Sequence, residues 1–305
     1  MTDLELSANR HSEKHRNRFQ FNVRIECAKF VGVASLCVAS LALWAFWFEP
    51  ASLRNENYEI HLPNWPAECD GMRIAVLADL HVGSPFNGLD KIDRIVELTL
   101  KARPDLILLA GDYVIHGVLG GAKVSPEEIA KSLRGLAAPL GVFAVLGNHD
   151  WWEDAPRIER ALSSVRIPVL EDSSVLVKRD GCAFHLAGLS DYWEGVRNYR
   201  AALENIPPGM PTVALTHNPD AFPEISRPVD LMIAAHTHGG QVYFPGLGRP
   251  IVPSKYGQRY AIGHIVENGR HLFVSSGLGT SIIPVRFLVP PEVSLLTIRA
   301  APASR

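Results

Sequence analysis

The chain has 305 residues, enough for one large α/β domain plus an appendage. Its 30 Lys and Arg against 32 Asp and Glu leave a net charge of −2, which gives no electrostatic case for a nucleic-acid partner. With 47% hydrophobic and 20% charged residues the composition is that of an ordinary globular protein, slightly rich in apolar side chains. From the N-terminus, residues 1–29 form a basic segment carrying Arg10, Lys14, Arg16, Arg18, Arg24 and Lys29. Residues 30–48, FVGVASLCVASLALWAFWF, carry no charge and are long enough for a membrane-spanning helix, with Trp44 and Trp47 suited to an interfacial belt. After them Arg54 is the sole basic residue before Arg73. This asymmetry predicts a single-pass anchor in the cytoplasmic (inner) membrane, with the bulk of the chain on the extracytoplasmic side. A cleaved signal peptide is the rival reading, opposed by the length of the run and by the poor cleavage site WFEPAS.

Residues 49–71, polar and proline-marked, read as a linker. A strand follows over 72–78, then a helix pattern over 88–104, a strand in DLILLAGD, a helix opened by SPEE, a strand in GVFAVLGNHD and a helix in APRIERALSSV. Strands then predominate: SVLVKR, AFHLAGL, TVALTH, DLMIAAH, QVYF, HLFVSSG and VSLLTIR. Early βαβ units followed by clustered strands imply a layered α/β fold. The main domain is expected over 72–299, with 300–305 as a tail. The four cysteines, Cys27, Cys37, Cys69 and Cys182, show no C-x-x-C spacing, and free thiols are expected, with a Cys69–Cys182 bridge as the alternative in an oxidising compartment.

The chemistry-bearing residues sit where the apolar strands end: Asp79 and His81, Gly111 and Asp112, Asn148, His149 and Asp150, His217, and His236 and His238. Sites in α/β sheets form at the carboxyl ends of strands. Strand alternation is expected to turn Asp79 with His81, and His236 with His238, toward one centre. One buried histidine is ordinary packing, but so many polar groups ending a core without ligands would cost several kcal/mol. Carboxylates, an amide and imidazoles together suit divalent Mn, Fe, Co, Zn or Ni.

The ordered set D-x-H, G-D, G-N-H-D, H and H-T-H resembles that of the calcineurin-like metallophosphoesterases over roughly residues 72–299. THNPD, HTHGGQ and the late SSGLGTSIIPVRFLVPPEVSLLTI resemble a membrane-anchored bacterial subgroup that includes a UDP-2,3-diacylglucosamine pyrophosphatase. The resemblance implies a four-layer α/β/β/α sandwich and two divalent metal ions. It puts Asp79, His81 and His238 on the first metal, Asn148, His217 and His236 on the second, and Asp112 between them. It makes His149 a catalytic residue that stabilises the transition state or protonates the leaving oxygen, while water between the metals attacks phosphorus.

The pattern departs from many relatives at Ile115, where an aspartate that orients the catalytic histidine is common; Asp150 or His116 is the candidate substitute. Ala235 stands where glycine is common. Trp151 and Trp152 are candidates to line a substrate pocket, with packing at a helix start as the competing reading. Arg286 is a candidate phosphate contact, with a surface ion pair as its competitor. The loop GLSDYWEG, with Asp191, Tyr192 and Trp193, reads equally as a cap on the site or an exposed turn. The expected function is a membrane-anchored phosphoesterase acting on a phosphoester or pyrophosphate bond, its substrate including lipid-linked or nucleotide-sugar lipids. The alternatives are a UDP-2,3-diacylglucosamine pyrophosphatase of lipid A biosynthesis and a non-catalytic metal-containing binding protein. No protein partner is expected.

Overall fold

The computed structural model describes residue 24, residues 26–227 and residues 229–301. Most of the basic segment, with Arg10, Lys14, Arg16 and Arg18, lies outside the described residues, as do 302–305 of the tail. Helix α1, Glu26–Ala51, has a mean hydropathy of 2.0 and is long and apolar enough to cross a membrane. Its apolar side chains, among them Phe30, Leu36 and Val38, are exposed.

Eleven strands among the described residues form two sheets. The first has the order β1 (Arg54–Leu62), β11 (Glu292–Ala300), β2 (Met72–Leu77), β3 (Leu106–Ala110), β4 (Val142–Val145). The second has the order β5 (Ser173–Arg179), β6 (Cys182–Gly188), β7 (Thr212–Leu215), β8 (Leu231–Ala234), β10 (Arg270–Val274), β9 (Gly263–Glu267). Strands β2, β3 and β4 run parallel, as do β6, β7, β8 and β10. Parallel neighbours need crossovers, and helices α2 (Leu89–Lys101), α3 (Pro126–Leu133) and α5 (Tyr199–Glu204) lie in those connections, while α4 (Asn148–Ser164) leads from β4 of the first sheet to β5 of the second.

Strand alternation distributes the core into three slabs. Ala75, Leu77, Ile107 and Leu109 face Ile92, Ile95, Ile129, Leu133 and Ile158 of the helices. The opposite set, Ile74, Val76, Leu106 and Leu108, packs against Phe184, Val213, Leu231 and Phe273 of the second sheet. Ala214, Met232 and Leu272 on the far face of that sheet meet Ala202 and Leu203 of α5 and Phe222. Three slabs between four layers make an α/β/β/α sandwich.

The capping signal in SPEE works as read: the Ser125 hydroxyl accepts from Glu128 N, and the Glu128 carboxylate accepts from Ser125 N. Three local expectations differ from the structure. The stretch 49–71, expected as a linker, contains β1, which pairs in parallel with β11 from Arg54↔Glu292 to Leu62↔Ala300. Only Ile60 and Leu62 of that edge strand are fully buried, so it lacked a continuous apolar run. QVYF is not a strand: Val242 and Phe244 make single bridges to Phe287 and Gly248. Cys69 and Cys182 are not free thiols. They form a disulfide across 113 positions, with Cα atoms 4.7 Å apart. Sequence spacing carries no information about that proximity; packing of the turn Ala67–Cys69, just ahead of β2, against the start of β6 creates it. In the chain-entropy account a loop of this size is worth about 4–5 kcal/mol.

Candidate metal centre

Every residue of the histidine–carboxylate set lies just beyond the carboxyl end of a strand: Asp79 and His81 after β2, Asp112 after β3, Asn148 after β4, His217 after β7, His236 and His238 after β8. Asp79, His81, Asp112, Asn148, His217, His236 and His238 are all buried together. One ligand atom each from Asp79, His81 and His238 lies within 4.8 Å of the other two, and the same holds for Asp112, His217 and His236 and for His81, Asp112 and His149. The Asp112 Oδ2 is 3.2 Å from His217 Nε2 and 3.5 Å from His81 Nε2, so it stands between the two groups.

The convergence does not come from strand alternation as expected. The strands have already ended, and Asp79, His81, Asp112, His236 and His238 all hold φ between 39° and 69°. Left-handed conformations are costly for residues with a Cβ, and they collect where the surrounding structure forces them. Glycine makes the crowding feasible. A Cβ on Gly147 would fall 2.2 Å from Asp112 Oδ1, and one on Gly277 would fall 2.5 Å from Asp79 Oδ2.

Backbone contacts set the imidazole tautomers. His81 Nδ1 donates to Val114 O at 3.1 Å and His217 Nδ1 donates to Ala110 O at 2.7 Å, which turns each Nε2 toward the centre. His81 Nε2 and His238 Nε2 face each other at 3.1 Å, and His217 Nε2 faces His236 Nδ1 at 3.1 Å. Asp79 Oδ2, Asn148 Oδ1, His236 Nε2 and His238 Nδ1 are buried with no hydrogen-bond partner. Orphaned donors and acceptors in a packed interior are rare, and a donor set of this chemistry fits divalent cations. Burial pushes His81 down to about 3 and holds His236 and His238 well below the ordinary imidazole value. Such rings stay neutral, the form a metal needs. Burial also opposes charge at His217 and Asp112, yet their mutual attraction wins, raising His217 to about 10 and holding Asp112 well below the carboxylate range.

His149 sits at the edge of the cluster. Its Nε2 is 4.0 Å from Asp112 Oδ2, and its ring packs edge-on to His81 at 4.6 Å and tilts against Trp152 at 4.9 Å. Its backbone N–H donates to Asp112 Oδ1 at 2.9 Å. Neither candidate substitute for the aspartate at Ile115 bonds the ring: Nδ1 of His149 is buried without a partner, and His116 stands 6.3 Å away, ring to ring. Asp150 instead accepts from Asp112 N, Gly147 N and Tyr113 N at 2.8–2.9 Å, tying the turn after β3 to the turn after β4.

The cluster floors a cleft of about 420 Å³, lined by Asp112, Asn148, His149, His236 and His238 at its base. Trp152 lines that cleft, but Trp151 does not; it packs against the helix-side core. Arg286 is no phosphate contact. It is fully buried, and its guanidinium donates to Ser276 O, Gly277 O, Gly279 O and Val289 O. These bonds hold the 276–279 turn, whose Leu278 and Gly279 amides bind Ala78 O and Asp79 O. Trp193, missing from the residues singled out for substrate, does line the cleft, with its ring edge-on to His236 at 4.3 Å. The buried Asp191 carboxylate fixes its loop by accepting from Trp193 N and Glu194 N. The indication in GLSDYWEG was an aspartate two residues ahead of an aromatic in a turn.

The calcineurin-like phosphoesterase family model matches residues 72–240, the span that carries all seven ligand candidates. The chain belongs to the calcineurin-like phosphoesterase family. It is 35% identical over 231 residues to phosphodiesterase YaeI of Escherichia coli, covering 74% of this chain and 82% of that one. It is 28% identical over 260 residues to the uncharacterized metallophosphoesterase YkuE of Bacillus subtilis, covering 84% and 89%. It is 27% identical over 316 residues to the UDP-2,3-diacylglucosamine pyrophosphatase LpxG of Chlamydia trachomatis, covering 83% and 92%. The protein is therefore a metal-dependent phosphoester hydrolase of a dinuclear-metal family, with candidate ligand groups in place.

Proposed function

We propose that this chain is a membrane-anchored phosphoesterase whose catalytic domain works outside the cytoplasm. Asp79, His81 and His238 would hold one divalent ion, Asn148, His217 and His236 a second, and Asp112 both. The observation that carries the reading is the buried pair of ligand groups flanking Asp112, with orphaned Asp79, Asn148, His236 and His238 atoms among them. Two such ions supply Lewis acidity toward phosphoryl oxygens and lower the pKa of an attacking water. Asp112, accepting the His149 amide on one oxygen, keeps its other oxygen for the centre. His149, outside the seven-residue set although it forms a third close group with His81 and Asp112, lines the cleft and donates to the leaving oxygen or offsets its charge. Trp152 and Trp193 flank the entrance and orient the ester.

The anchor is argued from α1 and its basic flank. The side of the membrane is argued from that charge asymmetry and from the Cys69–Cys182 disulfide, which suits an oxidising compartment. A second reading, pyrophosphate hydrolysis of UDP-2,3-diacylglucosamine in lipid A synthesis, draws on the LpxG likeness. A non-catalytic binding role has no missing ligand to support it. The test is the full chain in detergent, stripped with chelator and reloaded with Mn²⁺, assayed on methyl p-nitrophenyl phosphate and on UDP-2,3-diacylglucosamine. Metal-dependent cleavage of the diester supports the reading; activity confined to the pyrophosphate would favour the second. A C-terminal reporter active only outside the cytoplasm should light up, and a silent one beside an active cytoplasmic reporter rejects the topology.

A further inference from the structure

The cleft above the ligand cluster has an unusual lining for a site that receives a phosphate. Among its described lining residues there is no lysine or arginine. Its wall is Trp152, Trp193, Ile251, Ile282, Ile283 and Val285, together with prolines and Val242. Several of these are open to solvent: Ile251 is 76% exposed, Ile282 69%, Trp193 45%. Large apolar side chains grouped around one opening mark a binding surface and not ordinary surface scatter.

The segment that presents them is held in place. The Gln241 side chain accepts from Ser281 N at 2.7 Å and donates to Ile283 O at 3.2 Å, so its amide is spent on the loop and not offered to a ligand. Leu119 N donates to Ile282 O, and Phe287 N donates to Gln241 O. Ile282 itself sits at φ 62°. A β-branched side chain is disfavoured there, and glycine or asparagine would suit the turn better. An exposed isoleucine kept in a strained conformation, on a loop pinned by Gln241 and Leu119, contributes nothing to the core. It does contribute apolar surface to the cleft.

We propose that the cleft takes the alkyl or acyl group of an amphiphilic phosphoester with a single phosphate, in preference to a nucleotide. The inference rests on the phosphoesterase reading of the same site. Continuity carries the argument: one cleft has the metal-ligand candidates as its floor and the isoleucine–tryptophan wall above them. A second phosphate entering the cleft would meet no lysine or arginine side chain, and the Gln241 amide is already spent on its own loop. Each methylene against the wall instead leaves water.

The experiment uses the full chain in detergent with Mn²⁺ and two homologous series, methyl to hexyl, short enough to stay in the aqueous phase. The first is alkyl p-nitrophenyl phosphates, with the p-nitrophenyl ester of thymidine 5′-phosphate sharing their leaving group. The second is alkylphosphonates, whose affinity is read by calorimetry. Both kcat/KM and phosphonate affinity should rise about two- to fourfold per methylene. The heat-capacity change of binding should grow more negative along the series. The thymidine ester should be a poorer substrate than the hexyl ester. Ile282→Gly removes the side chain and relaxes the turn, so its thermal midpoint should not fall while the hexyl-to-methyl ratio drops several-fold. A change below twofold from methyl to hexyl in phosphonate affinity overturns the inference, as does a thymidine ester that outpaces the hexyl ester; either leaves the apolar rim to a bilayer or protein contact. Absence of metal-dependent hydrolysis of the methyl ester would reject the phosphoesterase reading, while the phosphonate series would still decide the chain-length question.

Discussion

The floor and the wall of one cleft follow opposite construction rules. The floor is made of buried polar residues two to four positions beyond strand ends, five of the seven held in left-handed conformations. The wall is made, Trp152 of α4 apart, of loop residues that are apolar, without charge and at least partly exposed. Each is costly by itself: the floor because buried polar atoms lack partners, the wall because apolar surface meets water. Their adjacency separates two tasks, chemistry at the base and recognition at the mouth. Damage to the floor should therefore appear in metal content and kcat, damage to the wall in KM.

The largest effect is expected at Asp112. Asp112→Ala removes the carboxylate shared by both ligand groups, so metal analysis should show both equivalents weakened. Turnover should fall beyond the roughly 10²–10³-fold typical of losing one electrostatic group. Two equivalents of retained metal would sink the bridging role. His149→Ala comes next. Metal content should stay intact while kcat falls about 10²–10⁴-fold, the range for a general acid. The loss should shrink on p-nitrophenyl esters, whose leaving oxygen needs no proton, and be larger on alkyl esters. Equal losses on both would leave charge stabilisation, and loss of metal would move His149 into the ligand set. Trp193→Ala tests the wall. Its removal from the face beside His236 should raise KM about 3- to 10-fold with kcat little changed, matching an aromatic contact of about 0.5–1.5 kcal/mol. A kcat loss equal to that of His149→Ala would break the division between floor and wall.

The smallest effect concerns the support beneath the floor. Glu171 accepts from Leu146 N at 3.1 Å, one residue ahead of Gly147, and burial raises its carboxyl from 4.5 to about 8. Between those values the folded chain holds a proton that the unfolded chain releases. Its contribution is therefore full below about 4.5 and lost as pH climbs toward 8. Glu171→Gln keeps an acceptor and has no proton to lose. The variant should gain on the parent in thermal midpoint from pH 5 to pH 8, by about 2–6 °C at the upper end. A constant difference across that interval would contradict the assignment.

Much of the floor was legible because its residues follow apolar runs at short, fixed intervals, in an order that also carries the family resemblance. The route of convergence was not legible: strand alternation suggested it, but left-handed turns at Asp79, His81, Asp112, His236 and His238 accomplish it. Arg286 and Trp151 misled for a common reason. Residue type advertises chemistry, but the direction of a side chain depends on what packs around it, and Arg286 turns inward to four carbonyls. Trp193 and the isoleucines of the wall carried little local indication, because an exposed apolar residue in a loop has no periodicity.

By itself the sequence determined the apolar N-terminal helix, the strand ends and the identity of the seven ligand candidates, because these depend on local runs and on chemistry written one residue at a time. Tertiary structure alone decided the Cys69–Cys182 bridge, the pairing of β1 with β11, the burial of Arg286 and the apolar wall over the polar floor. Each of these joins segments far apart in the chain, and such proximity is set by how the two sheets and their loops pack.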